Sequence, residues 1–312
     1  MARAGENIAA VPLDLVIERI RRVYRGWSRD TPVAQMRIDW DTAFECCTVP
    51  VLCERVSAAG VDGEWIAGGN AHYDKAILYF HGGGFRLGSV SSHRELIARI
   101  SEASGCRVLA INYRLAPEHR FPAPLEDAMA AYRWMLDRGL KPEHIAFAGD
   151  SAGGNLVLAA MLGLRERKLP LPAAGVLMSP WTDLAATGES YVSRADADPI
   201  HQRPMILALA KNYLGPDGDP YHPLASPLYA DLAGMPPLLI QVGDRETVLD
   251  DSIMFADMAR AAGVDVELQV WDGMIHVFQM FGVELAEARR AIDSIARFLG
   301  GRLQVKVEKG PQ

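Results

Sequence analysis

The chain has 312 residues, of which 49% are hydrophobic and 23% charged, and its formal net charge is −7. That acidity excludes a general attraction to nucleic-acid phosphates. The length exceeds a single α/β unit of about 200–250 residues and leaves a surplus for a lid or insertion.

The first patterned stretch is Leu13, Val16, Ile17, Ile20, Val23, Tyr24 and Trp27, an apolar stripe at helical spacing interleaved with Arg19, Arg21, Arg22 and Arg25. A basic amphipathic helix can lie on a membrane surface. The preferred reading is a lid helix whose stripe covers the main domain, with residues 1–48 forming N-terminal cap helices and no membrane partner. No charged-then-apolar leader pattern is seen, and no run approaches the roughly 18 apolar residues of a membrane span, so a cytoplasmic location is expected. The four cysteines are Cys46, Cys47, Cys53 and Cys106. They make no CxxC pair and no zinc-like spacing with histidine, so no metal site is expected. Adjacent Cys46 and Cys47 bond to each other only with strain, and the four are read as buried or inert free thiols.

From residue 49 short apolar runs begin. Residues 49–56 and 63–67 follow each other without a helix between them, which predicts an antiparallel hairpin at the start of a sheet. Strand 76–80 runs into His81-Gly82-Gly83-Gly84-Phe85. Successive glycines leave backbone amides unshielded, so the N–H groups of Gly83 and Gly84 are candidate oxyanion donors. A phosphate cradle is disfavoured because no Gly-Lys-Ser/Thr follows. His81 is read as structural, holding the glycine loop. A helix over 92–103, a strand over 107–112, the stretch Tyr113-Arg-Leu-Ala-Pro-Glu118 and a helix over 124–138 come next.

Strand 145–148 leads into Gly149-Asp150-Ser151-Ala152-Gly153-Gly154-Asn155 and a helix over 155–167. This is G-x-S-x-G in the strand–turn–helix context that makes it a nucleophile elbow. Small residues on either side let the flanking backbones approach, the serine hydroxyl stands exposed, and the helix N-terminus points free N–H groups at an anion formed there. Ser151 is therefore the candidate nucleophile, and the amide of Ala152 the third oxyanion donor. After strand 175–178, residues 183–237 break the rhythm with many Pro, Asp and Gly and one helix over 205–213. An insertion between two strands usually sits above the sheet, and a cap insertion is placed at about 183–215.

Activating a serine takes a general base, and the base takes an orienting group. The loop after strand 238–242 offers Asp244, Glu246, Asp250 and Asp251 as the acid. After helix 249–262 and strand 266–271, a loop presents His276, ahead of a helix over 283–299. That chain order, serine then acid then histidine, makes His276 the candidate base. His119, His144, His201 and His222 lie in polar segments and are read as surface residues. Residues 301–312 are a polar tail, and the catalytic domain spans 49–300. Strands alternating with helices indicate an α/β protein with a mostly parallel sheet covered on both faces.

The HGGGF loop, the GDSAGGN elbow, the YRLAPE stretch and the late His276 loop together resemble the hormone-sensitive-lipase family of carboxylesterases, over roughly residues 50–300. The resemblance implies an α/β-hydrolase fold with an eight-stranded sheet, flanking helices and a helical cap. It implies a small-molecule ester as partner, hydrolysis of short- to medium-chain esters through an acyl-enzyme, and no cofactor. It places Glu246 at the acid position, where the family usually has Asp, and makes Arg114 and Glu118 a buried ion pair or loop anchor. Relatives that dimerise through the exposed edge of the last strand suggest a homodimer. Some relatives bind a small hormone after losing the histidine, whereas this chain keeps both Ser151 and His276. Lactone or amide hydrolysis on the same residues is the alternative reading.

Overall fold

A computed structural model describes residues 12–305 of the chain. Residues 1–11 and 306–312, parts of the expected N-terminal segment and of the tail, lie outside the described residues. Eight strands form one sheet in the order β1-β2-β4-β3-β5-β6-β7-β8. They are β1 Val51–Ala58, β2 Val61–Gly68, β3 His72–Phe80, β4 Cys106–Ile111, β5 Ile145–Asp150, β6 Ala174–Met178, β7 Leu238–Gly243 and β8 Val266–Trp271. The expected hairpin is present: β1 pairs antiparallel with β2, and β2 antiparallel with β4. All later pairings are parallel.

Alternation along the central strands divides the core between two faces, because successive side chains point to opposite sides. Leu78 and Phe80 of β3 join Phe147 of β5 in one layer, whereas Ile77 and Tyr79 join Ala146 and Ala148 in the other. Helices α4 (Ala123–Asp137), α5 (Ala152–Glu166) and α8 (Leu249–Ala261) supply residues to the first layer. Helices α3 (Val90–Ser104) and α9 (Ala286–Leu303) cover the second. Helix α3 starts at a capping box of Ser89 and Ser92 and stops at Gly105 in the left-handed conformation. Helix α9 continues to Leu303, which is buried, so the polar tail does not begin at residue 301.

Two helices precede the sheet, α1 (Leu13–Arg25) and α2 (Val33–Phe44). Val16, Ile17 and Ile20 of α1 are buried with Phe44 of α2 against Phe278, Phe281 and Leu285, so the stripe covers the main domain as a lid helix would. Between β6 and β7 lie a single turn, α6 (Ser190–Ser193), and α7 (Arg203–Leu214). Burial of the thiols holds for Cys106 alone. Cys46, Cys47 and Cys53 are exposed and free, because they sit on the α2–β1 connection and on edge strand β1. Among the described residues, no helix is long and apolar enough to cross a membrane.

Candidate active site

Strand β5 ends at Asp150, α5 begins at Ala152, and Ser151 between them takes φ 53° and ψ −118°. A non-glycine residue there carries backbone strain of about 1–3 kcal/mol, which the surroundings must enforce. The Ser151 N–H donates to Met178 O at 2.8 Å, and its carbonyl accepts from Asn155 N and Trp181 N, both at 3.1 Å. Asn155 adds two side-chain bonds, to Trp181 O at 2.8 Å and Ala225 O at 2.7 Å, which tie the elbow helix to the loop beyond β6. A Cβ on Gly153 would collide with the carbonyl of Phe80, so the elbow closes onto β3 only with glycine there.

The glycine loop follows β3 directly, with Gly83 at φ 110° and Gly84 at φ 62°. The amides of Gly83, Gly84 and Ala152 have no acceptor among the described residues; Gly83 and Gly84 border the pocket at Ser151, and Ala152 follows Ser151 at the first turn of α5. Asp150 fixes the loop to the elbow. Its carboxylate accepts from Tyr79 Oη at 2.6 Å and Gly82 N at 3.0 Å, and faces His93 Nε2 at 3.3 Å. Burial alone would raise the Asp150 pKa, but His93 and the hydroxyl of Tyr79 outweigh it and leave it depressed. Burial likewise opposes charge on His93, and Asp150 outweighs that penalty, so the His93 pKa is raised.

His81 is structural, as expected: Nδ1 donates to Gly82 O at 2.8 Å, and burial beside His93 holds its pKa down at about 3. Tyr113 stacks on His81 with ring centroids 4.4 Å apart and donates its hydroxyl to His81 O. Arg114 and Glu118 do not pair with each other, so the ion-pair alternative fails and the loop-anchor alternative remains. Arg114 pairs with Asp127 at 2.8 Å and Glu118 with Arg37 of α2 at 2.7 Å, each partly exposed. Arg37 also donates to the carbonyls of Arg86 and Ala116, clamping α2 onto the glycine loop.

His276 follows β8 and precedes a left-handed residue, Val277 at φ 50°. Its Nε2 lies 2.9 Å from Ser151 Oγ, and its Nδ1 lies 2.7 Å from Glu246 Oε2. Of the four acidic residues in and after the β7 loop, Glu246 is the one that faces His276. Asp244 accepts Gly273 N at 2.7 Å, Asp250 accepts Ser190 N at 2.8 Å, and Asp251 accepts the amides of Thr182 and Asp183. Glu246 is fully buried, and its Oε1 accepts from Gly243 N at 2.5 Å and Ser179 Oγ at 2.8 Å. Ser179 also accepts from Val277 N at 3.1 Å, so one hydroxyl positions both the acid and the histidine loop. Nothing in the sequence singled Ser179 out beyond its place at the end of an apolar strand. Burial lowers the His276 pKa, but the Glu246 carboxylate outweighs it and the net shift is upward.

The pocket over Ser151 is roofed from two directions. Ile20, Tyr24, Trp40 and Phe44 reach it from α1 and α2, and Met205, Ile206 and Leu209 from α7. Trp181 and Met205 also line the pocket, whereas Trp27 and Tyr213 do not reach it. Trp27 instead packs against Tyr24 at 5.2 Å, and Tyr213 stacks on Phe85 at 3.8 Å. The surface role expected for His201 is corrected: its ring lies 4.4 Å from that of His276, nearly perpendicular to it, and lines the pocket. It is covered because α1 lies over its turn, with Arg21 Nε donating to Pro199 O at 3.1 Å. Among the described residues, no group of three His, Cys, Asp or Glu side chains is arranged to hold a metal ion.

Comparison with known proteins agrees with this geometry. Residues 77–280 match the family described as alpha/beta hydrolase fold. The chain is 41% identical over 296 residues to an acetyl-hydrolase of Streptomyces hygroscopicus, an alignment covering 94% of this chain and 97% of the relative. It superposes with a TM-score of 0.89 on the crystal structure of an esterase from the bacterial hormone-sensitive lipase family, at 46% identity, covering 97% of this chain and all of that one. EstE5, in crystals soaked with p-nitrophenyl butyrate, superposes with a TM-score of 0.88 at 41% identity, covering 94% of this chain and 100% of its own.

Proposed function

Because the chain belongs to the bacterial hormone-sensitive-lipase family of α/β-hydrolases, we propose that it cleaves short- to medium-chain carboxylic esters with Ser151 as nucleophile, His276 as base and Glu246 as the orienting acid. It is a carboxylic ester hydrolase. The observation that carries the residue assignment is the continuous hydrogen-bonded chain from Ser151 Oγ through His276 to Glu246, at 2.9 and 2.7 Å.

In this reading Ser151 Oγ attacks the ester carbonyl carbon while its proton passes to His276 Nε2. Negative charge moves to the carbonyl oxygen, and the amides of Gly83, Gly84 and Ala152 hold it. Collapse breaks the bond to the alkoxy oxygen, which leaves as alcohol with the proton from His276. Water then attacks the acyl-enzyme by the same route and frees the acid. Glu246 holds the imidazole with Nε2 toward the serine and balances the charge that forms on the ring.

Helices α1 and α2 together with residues 183–215 are proposed as a cap that sets substrate size. A cytoplasmic location is supported by three exposed cysteines left as free thiols. A panel of p-nitrophenyl esters from about two to sixteen acyl carbons tests the reading. Wild type is expected to favour two to eight carbons, and Ser151→Ala to abolish turnover while keeping its circular dichroism. A preference for sixteen carbons, or a serine variant that still turns over and labels with a fluorophosphonate, would overturn it.

A further inference from the structure

His201 is rigidly held by its backbone and unengaged through its ring. Asp198 Oδ1 accepts the N–H groups of Ile200 and His201, both at 2.9 Å. Asp198 Oδ2 accepts from the amide of Thr247 at 2.8 Å and its hydroxyl at 3.1 Å, and Arg245 Nε donates to Ala197 O at 3.1 Å. The turn is thus pinned to the two residues that flank Glu246, and α1 closes over it from the other side. Yet neither ring nitrogen of His201 has a hydrogen-bond partner among the described residues, and Nδ1 is buried. Trp40 Nε1, in the same pocket, is also buried without a partner. Tyr24 lines the same pocket, its ring 6.1 Å from Trp40, and lies close enough to Asp198 for that charge to add to burial in raising its hydroxyl pKa. An otherwise apolar pocket therefore keeps unmet hydrogen-bonding capacity at one end. Leaving such groups unpaired costs stability unless a ligand satisfies them.

The end in question is defined by the chemistry. The leaving alkoxy oxygen must come within hydrogen-bond reach of His276 Nε2 to take its proton. With the two imidazoles 4.4 Å apart, the next atoms of the alcohol pass beside His201. Burial and the neighbouring His276 hold the His201 pKa down at about 3. The ring is therefore neutral wherever His276 works, with one nitrogen to donate and one to accept.

We propose that His201, assisted by Trp40, forms a hydrogen-bonding subsite for the alcohol portion of the substrate. It selects esters whose alcohol carries a hydroxyl two carbons beyond the ester oxygen, monoesters of vicinal diols and polyols, over those of plain alkanols. The proposal rests on the esterase reading above. If His201 were only an aromatic filler against His276, phenylalanine would replace it without changing any preference between a hydroxyl and a methyl group.

The test is the ratio of kcat/KM for 2-hydroxyethyl butyrate to that for propyl butyrate, an isosteric pair, divided by the same ratio for hydroxide-catalysed hydrolysis. Damage to the triad cancels in this ratio. Wild type is expected to show a corrected ratio of about three to ten, the range of one net hydrogen bond. In His201→Phe the ratio should fall to about one or below, and in Trp40→Phe it should fall partway. A wild-type ratio at or below one, or one unchanged in His201→Phe, overturns the subsite. Should that variant not fold, the wild-type ratio and Trp40→Phe decide: both as expected support the subsite, and a ratio unmoved by Trp40→Phe overturns it. Failure of wild type to hydrolyse p-nitrophenyl butyrate would instead overturn the esterase reading, and the subsite with it.

Discussion

Glu246 stands where the resemblance read from the sequence leads one to expect an aspartate, and its surroundings explain how the extra methylene is absorbed. Oε1 folds back to the amide of Gly243 in its own loop and takes a second bond from Ser179, which leaves Oε2 aimed at His276. Because that carboxylate outweighs burial in raising the His276 pKa, the acid limb of kcat/KM should lie above the ordinary histidine value of about 6.5. The base must be neutral, so activity is lost as pH falls through the raised value. Glu246→Gln removes the largest raising charge and leaves burial opposed only by the more weakly acting Asp198 and Asp150, so the limb should move to lower pH. In the same variant kcat should drop by up to about 10⁴. A pH–rate series on both proteins decides this, and an unmoved limb would show that another group controls the ionisation. Ser151 and His276 were legible because motif and chain order announce them. His201 was not, because Arg194, Asp196 and Asp198 make its segment read as polar surface. Its burial comes from α1, some 180 residues earlier in the chain.

At the scale of elements, the catalytic loops are rigid because buried polar groups bind one to the next. The Asp150–His93 pair joins the start of the elbow to α3 and, through Gly82, to the glycine loop. The depressed Asp150 pKa means its contribution is present above its unfolded value of about 3.9 and lost as pH falls through the folded one. The raised His93 pKa means its contribution is full below about 6.5 and lost as pH rises through the folded value. The pair thus stabilises most between those limits. His93→Gln should cost about 3–5 kcal/mol near pH 5.5, the usual effect of breaking a buried pair, and less at alkaline pH. Urea unfolding of both proteins at the two pH values measures it, and an equal loss at both would mean that packing, not charge, holds the loop. All eight strands were legible from period and turn signals, since central strands buried on both faces must be continuously apolar. Helix α2 was not. Its apolar residues Val33, Met36, Ile38, Trp40 and Phe44 form no single stripe, and only Met36 and Phe44 are buried. Besides those two side chains it is held by polar contacts, chiefly the reach of Arg37 to Glu118 and two loop carbonyls.

For the molecule as a whole, the sheet has two edges, β1 and β8. An unpaired edge invites another strand unless something blunts it. Strand β8 leaves Val270 half exposed, and Met254 and Met258 on α8, which packs beside it, are exposed as well. A homodimer joined edge to edge at β8 is the expected assembly, and Val270→Lys should shift sedimentation velocity from dimer toward monomer while leaving turnover of p-nitrophenyl butyrate within a fewfold. A monomeric wild type would remove this assembly from consideration. Helices α1 and α2 have a further consequence. They furnish Ile20, Tyr24, Trp40 and Phe44 to the pocket but no atom of the Ser151–His276–Glu246 chain, and they join the rest through one short connection at residues 45–50. Part of the selectivity is therefore inherited on a stretch of gene separate from bond cleavage, while His201 and the α7 residues of the pocket travel with the cleavage machinery. Recombination upstream of residue 45 can change which esters enter, provided it keeps the Arg37 clamp, while the cleavage machinery passes on unaltered.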